Sequence, residues 1–469
     1  MIKWIIKIKI RDNMAEANKN VEIMRGNPEI AVKKLAIPIM ISMIITALYN
    51  IIDGVWVAGL GQAAIAGIGF VTPIFMILNG VSVGLGNGAT SAISRYVGAH
   101  DKEGADKGAE HSLLIFLVAS ILLTVVLLVI LEPLLKLYGA SGQSLVEGMK
   151  YGIPLFAGLI GFIFCNGATG ILRGEGDMKR AMYATILGVV LNAIFDPIFI
   201  YTFGLGSAGA AIATVASSAI SAIVILYWIL IKKDTYVDLH LKQFKLDGKI
   251  ARRILNVGIP ASMDMVMMSI AVSIYLIFIS GVGGDYGIAV FTSGQRLYLF
   301  GIMPLTAIGA AIVAVVGSAY GAKNGDYIKR AHTYGVKFAV LVGLVITIIL
   351  VVFSNQLAYL FAYTPETAHL VPGIALFLQI ATLCLPFTGI GMPSSFLYQG
   401  LGKGLYSLAW TIIREVIFTV AATYFFGLYL GWGLIGIWTG LAVGRILASI
   451  LNFAFARYTI RNIRKKLGT

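Results

Sequence analysis

Stretches of about twenty apolar residues follow one another from end to end of this chain, and each is long enough to cross a hydrocarbon layer about 30 Å thick. LLIFLVASILLTVVLLVIL at 113–131 is one of them. A chain that buries its backbone in lipid must satisfy every N–H and C=O internally, which leaves helices or a closed barrel. Runs of this length are helical. Only 12% of residues are charged and 58% are hydrophobic, against about 25% charged in a soluble domain. A large soluble core is therefore excluded, and the chain reads as an all-α integral membrane protein.

Spans are expected near 35–58, 68–94, 112–131, 151–172, 181–202, 207–231, 254–280, 287–319, 334–353, 373–399, 405–427 and 432–456. The segments before span 1, after each even-numbered span and at the C-terminus hold 30 of the 36 Lys and Arg. The intervening connections hold only Lys136 and Lys150. By the positive-inside rule both termini are cytoplasmic, in a cell membrane. The net charge of +14 thus reports orientation and calls for no nucleic-acid partner. The start, MIKWIIKIKIRDN, has neither a signal-peptide apolar core nor a small-residue cleavage site. It reads as a segment on the membrane surface, with Met14 and Met24 as alternative starts. Cys165 and Cys384 lie in apolar runs and read as unpaired.

The two halves of the chain resemble each other. LAIPIMISM (35–43) returns as VGIPASMDM (257–265), YVGAHDKEGADKGAEH (96–111) as YGAKNGDYIKRAH (320–332), and RGEGDMKRAMYA (173–184) as QGLGKGLYSLAW (399–410), always at an offset of 222 to 227. Six spans per half is an even number, so both copies share one orientation. The expected architecture is two parallel-repeat six-helix bundles related by a pseudo-two-fold along the membrane normal, around a central cavity. The divisions are an N-terminal segment 1–33, bundles 34–231 and 254–457, a linker 232–253 and a basic tail 458–469. Two bundles that rock about a cavity are the arrangement of a transporter.

Within LNAIFDPIFI (191–200) Asp196 stands in a span, four residues after Asn192 and just before Pro197. A central Asp costs about 2.5–3.5 kcal/mol to insert, so it is expected to face a partner or a cavity. Span 1 carries Thr46, Tyr49, Asn50 and Asp53 on one face. Asp53, Asp196 and Thr214 each lie about seven residues from the outer end of their span, which places all three about 10 Å below that surface. Tyr151, at the outer start of span 4, can close the group. Two neighbouring carboxyls can share a proton near neutral pH, and the same oxygens can coordinate a hard cation. Capping or packing is the structural alternative. The repeat weighs against it, because Asp53 and Asp196 fall near Tyr275 and Ala422 in the second half. There, Asp264 in span 7 and Arg296 in span 8 are expected to form an ion pair or to meet substrate. The five histidines are scattered among connections and span ends, and no Walker A loop is present, so no metal centre, ATP coupling or enzyme site is expected.

Two six-span bundles, YNIIDGVWVAGLG, LNAIFDPIFI and the loops GAHDKEGAD and GAKNGD together resemble the MATE (multidrug and toxic compound extrusion) family over residues 30–460. The Asp53–Asp196 pair is similar to its DinF-type branch. The resemblance implies a cofactor-free, monomeric antiporter that exports organic, mostly cationic drugs by alternating access, in exchange for H+ or Na+. It implies a coupling-ion site at Asp53, Asn192, Asp196 and Thr214, with Tyr151 nearby, and Na+ would take the same four residues. It further implies Tyr49 and Asn166 as cavity residues, and Pro38 as the place where span 1 bends. Asp264 departs from the pattern, since another branch carries Glu in span 7, and it joins Arg296 as a candidate substrate contact. The rival within the superfamily is a lipid-linked oligosaccharide flippase, and a membrane-embedded enzyme is the remoter one. The topology has a direct check. With Cys165 and Cys384 removed, single cysteines within 232–251 and within 354–371 should label from opposite faces of the membrane. Labelling from one face would overturn the twelve-span reading.

Overall fold

The computed structural model describes residues 19–240, 244–360, 362 and 367–468. The expected surface segment at 1–13, the alternative start Met14 and residues 241–243, 361 and 363–366 of the connections lie outside the described residues. A short helix at 19–25 precedes the first span. The spanning helices are α1 (Pro28–Ala58), α2 (Gln62–Gly98), α3 (Lys102–Leu137), α4 (Gly142–Ala157 continued by Leu159–Gly174), α5 (Met178–Thr202), α6 (Gly206–Lys232), α7 and α8 (within Gly248–Gly321), α9 (Gly325–Val352), α10 (Ala368–Gly400), α11 (Gly404–Tyr429) and α12 (Gly433–Leu467). The 74 residues of Gly248–Gly321 would run about 110 Å as one helix, several bilayers long. Gly284, at φ 52° and ψ −146°, breaks them into two. That division and the bent α4 give twelve crossings among the described residues, as the apolar runs predict.

The helices are longer than the apolar runs that define them. The GAHDKEGAD and GAKNGD motifs, expected as loops, are mostly helical. Only residues 99–101 and 322–324 separate the flanking helices. Asp101 begins α3 by accepting from the Gly104 N–H at 2.8 Å, and Asn324 begins α9 by accepting from Tyr327 at 2.9 Å. Side-chain caps of this kind satisfy N–H groups that a helix start leaves free. The residues just before, His100 and Lys323, both take the left-handed conformation, φ 59° and 55°.

That coincidence is one of several. Positive φ recurs at Gly61 and Gly284, Gly176 and Gly402, Gly204 and Gly431, and Gly206 and Gly433, each pair 223 to 227 residues apart. Irregular helix recurs as well. α4 bends by 51° at Gly158, just beyond Pro154, and α10 is interrupted by a 3₁₀ turn at Thr382–Cys384, just before Pro386. Each proline removes one N–H from its helix ladder. α5 widens into a π-turn at Ile198–Thr202, and α11 does so at Phe425–Tyr429. The sequence repeat is therefore a repeat of backbone defects, not only of apolar periods.

The chain divides into two compact units, residues 1–26 with 41–262 and residues 27–40 with 263–469. In the first, helices approach through glycine. A Cβ on Gly170 of α4 would run into the carbonyl of Gly86 in α2, and Thr90 of α2 donates to the Gly170 carbonyl at 2.8 Å. In the second, α12 packs Gly440 and Gly444 against the backbone of Thr423 and Thr419. Small residues at crossings let membrane helices gain dispersion contact where lipid offers no hydrophobic drive. Buried in the second unit, Glu415 pairs with Arg414 at 2.9 Å and Arg445 at 3.2 Å. Arg445 also donates to Tyr298 at 2.8 Å, and Tyr275 donates to the Glu415 backbone carbonyl at 2.8 Å. Cys165 and Cys384 are free.

The hydrophilic stretch after α6 is fastened to the first unit. The Val237, Asp238 and His240 N–H groups donate to Glu175, Asp106 and Glu110 at 2.9, 2.7 and 2.6 Å. Asp247 N–H donates to His111 Nε2 at 2.7 Å. Asp234 is paired with Arg180 at 3.0 Å and Lys232 at 2.5 Å. Burial, and then the charge of Asp177, push the Glu175 carboxyl up from 4.5 to about 8, against smaller opposing effects of Val237 N–H and Arg180. The docked state thus holds a proton that an undocked Glu175 releases above its ordinary range, so docking weakens as pH rises from about 4.5 to about 8. A cysteine at the buried Leu239 position should become more reactive across that window in the wild type. In a Glu175→Gln background the added pH dependence should vanish, the ratio of the two rates cancelling the thiol's own ionisation. An unchanged ratio would refute the assignment.

Candidate functional site

α1 and α5 meet in the first unit through polar side chains. On α1, Tyr49 and Asp53 are one turn apart and share a face. On α5, Asn192 and Asp196 have the same spacing. The Tyr49 hydroxyl lies 2.9 Å from Asp196 Oδ2 and 3.2 Å from Asp53 Oδ1. It carries one proton and so donates to one carboxyl at a time. Asn192 Nδ2 donates to Asp196 Oδ1 at 3.0 Å. The two carboxyls are also within hydrogen-bonding reach of each other. Asp196 is fully buried and Asn192 nearly so. Tyr151 of α4 lies close enough to sense both charges.

Among the described residues neither carboxyl has a Lys or Arg partner. Their neighbours are Tyr49, Asn192 and each other. An isolated buried carboxylate is prohibitively costly unless it is paired or neutralised. Any second negative charge here must be met by a mobile cation, proton or metal. Glu415 of the second unit is the opposite case, with two guanidiniums on one carboxylate.

The other expected site residues distribute unevenly. Thr214 donates to Ala210 O of its own helix at 3.1 Å, leaving its oxygen lone pairs as the groups it can offer. Thr46 likewise donates to Ser42 O at 2.8 Å, and Asn50 is exposed. Asn166 donates to Phe162 O in α4 at 3.1 Å. Pro38 lies inside α1, which stays helical through it. Tyr49, expected as a cavity residue, places its hydroxyl between the two acids.

The expected Asp264–Arg296 pair does not form. Asp264 takes its partners from α11, with Ser407 Oγ at 3.5 Å, Thr411 alongside and Arg414 as the nearby positive charge. Its Oδ1 is buried without a hydrogen bond. Arg296 is exposed on α8. Adjacent spans carrying opposite charges need not turn them toward each other, because a helix presents each residue at its own angle. The sequence reading also missed Tyr201, whose hydroxyl donates to the Trp56 carbonyl at 2.6 Å. Its spacing of five from Asp196 is off the helical face, so periodicity gives no signal for it.

Twelve helices in two repeated six-helix halves, with a carboxyl pair in one that has no Lys or Arg partner among the described residues, define a multi-pass membrane protein. The sequence model described as MatE matches residues 38–198 and 260–425, and the chain belongs to that family, which is one of transporters. The probable multidrug resistance protein YoeA of Bacillus subtilis is 23% identical over 430 residues, covering 90% of this chain and 92% of its own. The multidrug export protein MepA of Staphylococcus aureus is 24% identical over 430 residues, covering 90% and 91%. A solved outward-facing conformation of a multidrug resistance MATE family transporter of the MOP superfamily is 39% identical, with a TM-score of 0.93, over 95% of this chain and 99% of that one. A transporter from Pyrococcus furiosus, also 39% identical with a TM-score of 0.92 over the same shares, is described as having a binding pocket of reverse polarity that suggests a different function.

Proposed function

We propose that this chain is an alternating-access antiporter that exports organic, mostly cationic compounds in exchange for H+ or Na+ bound between Asp53 and Asp196. The observation that carries the reading is the contact of the fully buried Asp196 with the half-buried Asp53, with no Lys or Arg partner for either among the described residues. A ligand biases a two-state protein only through its differential affinity for the states, and a carboxyl that is neutral in one state and charged in the other supplies that difference. Tyr49 and Asn192 orient the pair. Tyr151 closes it, and Thr214 adds an oxygen if the ion is Na+. The charge distribution of the connections supports cytoplasmic termini in a cell membrane, and the acid pair supports the DinF-type branch.

A second reading concerns polarity. Arg173 Nε is buried without a hydrogen-bond partner, and Arg296 is exposed with no acid paired to it among the described residues. With the reversed polarity described for the Pyrococcus relative, these favour an anionic substrate, such as a lipid-linked one, over a cationic one.

Proteoliposomes test both. Asp53→Asn and Asp196→Asn keep shape and remove charge. Each should insert normally and lose gradient-driven export by about tenfold or more, the equivalent of one unit of coupling, about 1.4 kcal/mol. Thr214→Ala and Asn192→Ala should be the more damaging under a Na+ gradient if Na+ is the ion, and nearly silent under a proton gradient if H+ is. Wild-type export by both Asn variants at normal protein levels would sink the coupling site. Export of anionic amphiphiles with no export of cations would replace the first substrate class by the second.

A further inference from the structure

Two tyrosines cross between α1 and α5 in opposite directions. Tyr49 of α1 donates to Asp196 of α5, and Tyr201 of α5 donates to the Trp56 carbonyl of α1. Asp53 lies between the ties, four residues after Tyr49 and three before Trp56. α1 ends at Ala58, so the Trp56 carbonyl is among the last four, which have no partner inside the helix. The Gly59 N–H offers it only a 3.3 Å bond. The Tyr201 hydroxyl, at 2.6 Å, takes that place from outside the helix. The Trp56 and Tyr201 rings meet edge to face at 6.3 Å. Position 59 must be glycine for this approach, since a Cβ there would overlap the Tyr201 hydroxyl.

A regular helix would not deliver Tyr201 to α1. Five residues of α-helix leave it about 140° round from the Asp196 face. The π-turn at Ile198–Thr202, which follows Pro197, takes up about one extra residue and returns Tyr201 to the α1 side. The second half supplies the contrast. Its π-turn recurs at Phe425–Tyr429, yet the positions of Asp53, Asp196 and Tyr201 are held by Tyr275, Ala422 and Leu428. The duplicated scaffold keeps the turn without the hydroxyl, so architecture alone does not require Tyr201.

We propose that Tyr201 is a latch, a positioning residue that holds the C-terminal end of α1 to α5 while the ion state of the Asp53–Asp196 pair changes. The proposal rests on the ion-site reading above. When both carboxyls ionise they repel, and α1 is pushed from α5. With the latch closed beyond the acids, the ends cannot part. The displacement is passed instead toward Pro38, where the helix ladder already lacks one N–H. With the latch open, the end of α1 lifts away and the ion's differential affinity is not transmitted.

Spin labels at Ile52 and Ile194, both exposed, in a chain lacking Cys165 and Cys384, read the α1–α5 distance from pH 5 to pH 8, with and without Na+. The wild type should move between two narrow distances. Tyr201→Phe keeps the ring but loses the donor. It should broaden the distribution, abolish the discrete switch and lower gradient-driven export by between about two- and tenfold, the range of one net hydrogen bond, with substrate binding retained. Gly59→Ala displaces the same ring without removing a hydroxyl and should reproduce both effects. Wild-type switching in both variants overturns the latch and leaves the ion site standing. No ion-dependent distance change in the wild type overturns the ion-site reading and the latch together.

Discussion

A fully buried carboxyl beside a half-buried one, neither with a Lys or Arg partner among the described residues, is the constraint on which the first unit depends. Desolvating one carboxylate costs several kcal/mol even after relaxation, and a second beside it adds repulsion. A static structure would remove that cost with a guanidinium, as the second unit does at Glu415 with Arg414 and Arg445. The first unit surrounds Asp53 and Asp196 with neutral donors, the Tyr49 hydroxyl and the Asn192 amide. Neutral donors orient the acids and leave their net charge open.

Duplication makes the arrangement possible. The two halves share left-handed residues, interrupted fourth helices and π-turns at matched positions, so the backbone is solved once and used twice. One copy fills the resulting polar core with a network of Tyr275, Tyr298, Glu415, Arg414 and Arg445, in which the acid has two guanidinium partners. The other fills it with Tyr49, Asp53, Asn192 and Asp196. The same scaffold thus yields one unit whose buried acid is paired with guanidiniums and one whose two acids meet only neutral donors and each other among the described residues.

The sequence carried most of the architecture, because apolar length and charge alternation are one-dimensional signals. Asp53, Asn192 and Asp196 were legible for the same reason, since a polar residue in an apolar run is conspicuous and spacing of four places it on a face. What failed needed three dimensions. Asp264 and Arg296 sit on consecutive spans, but Asp264 meets Ser407, some 140 positions away, and no local pattern announces that. Tyr201 reaches α1 only because a π-turn shifts its register. The docking of the linker left no sequence signal because its contacts run from backbone N–H groups to the side chains of Asp106, Glu110 and Glu175. Backbone donors leave no trace in residue identity.

The Glu415–Arg445 pair has a consequence for biosynthesis. α11 enters the bilayer with Arg414 and Glu415 side by side and mutually compensated, at 2.9 Å. α12 brings Arg445 with no acid of its own, and a lone arginine at mid-helix costs about 2.5–3.5 kcal/mol to insert. Only residues 430–432 separate the two helices. The last pair is therefore best delivered to the membrane as one hairpin, with Arg445 meeting Glu415 before either faces lipid.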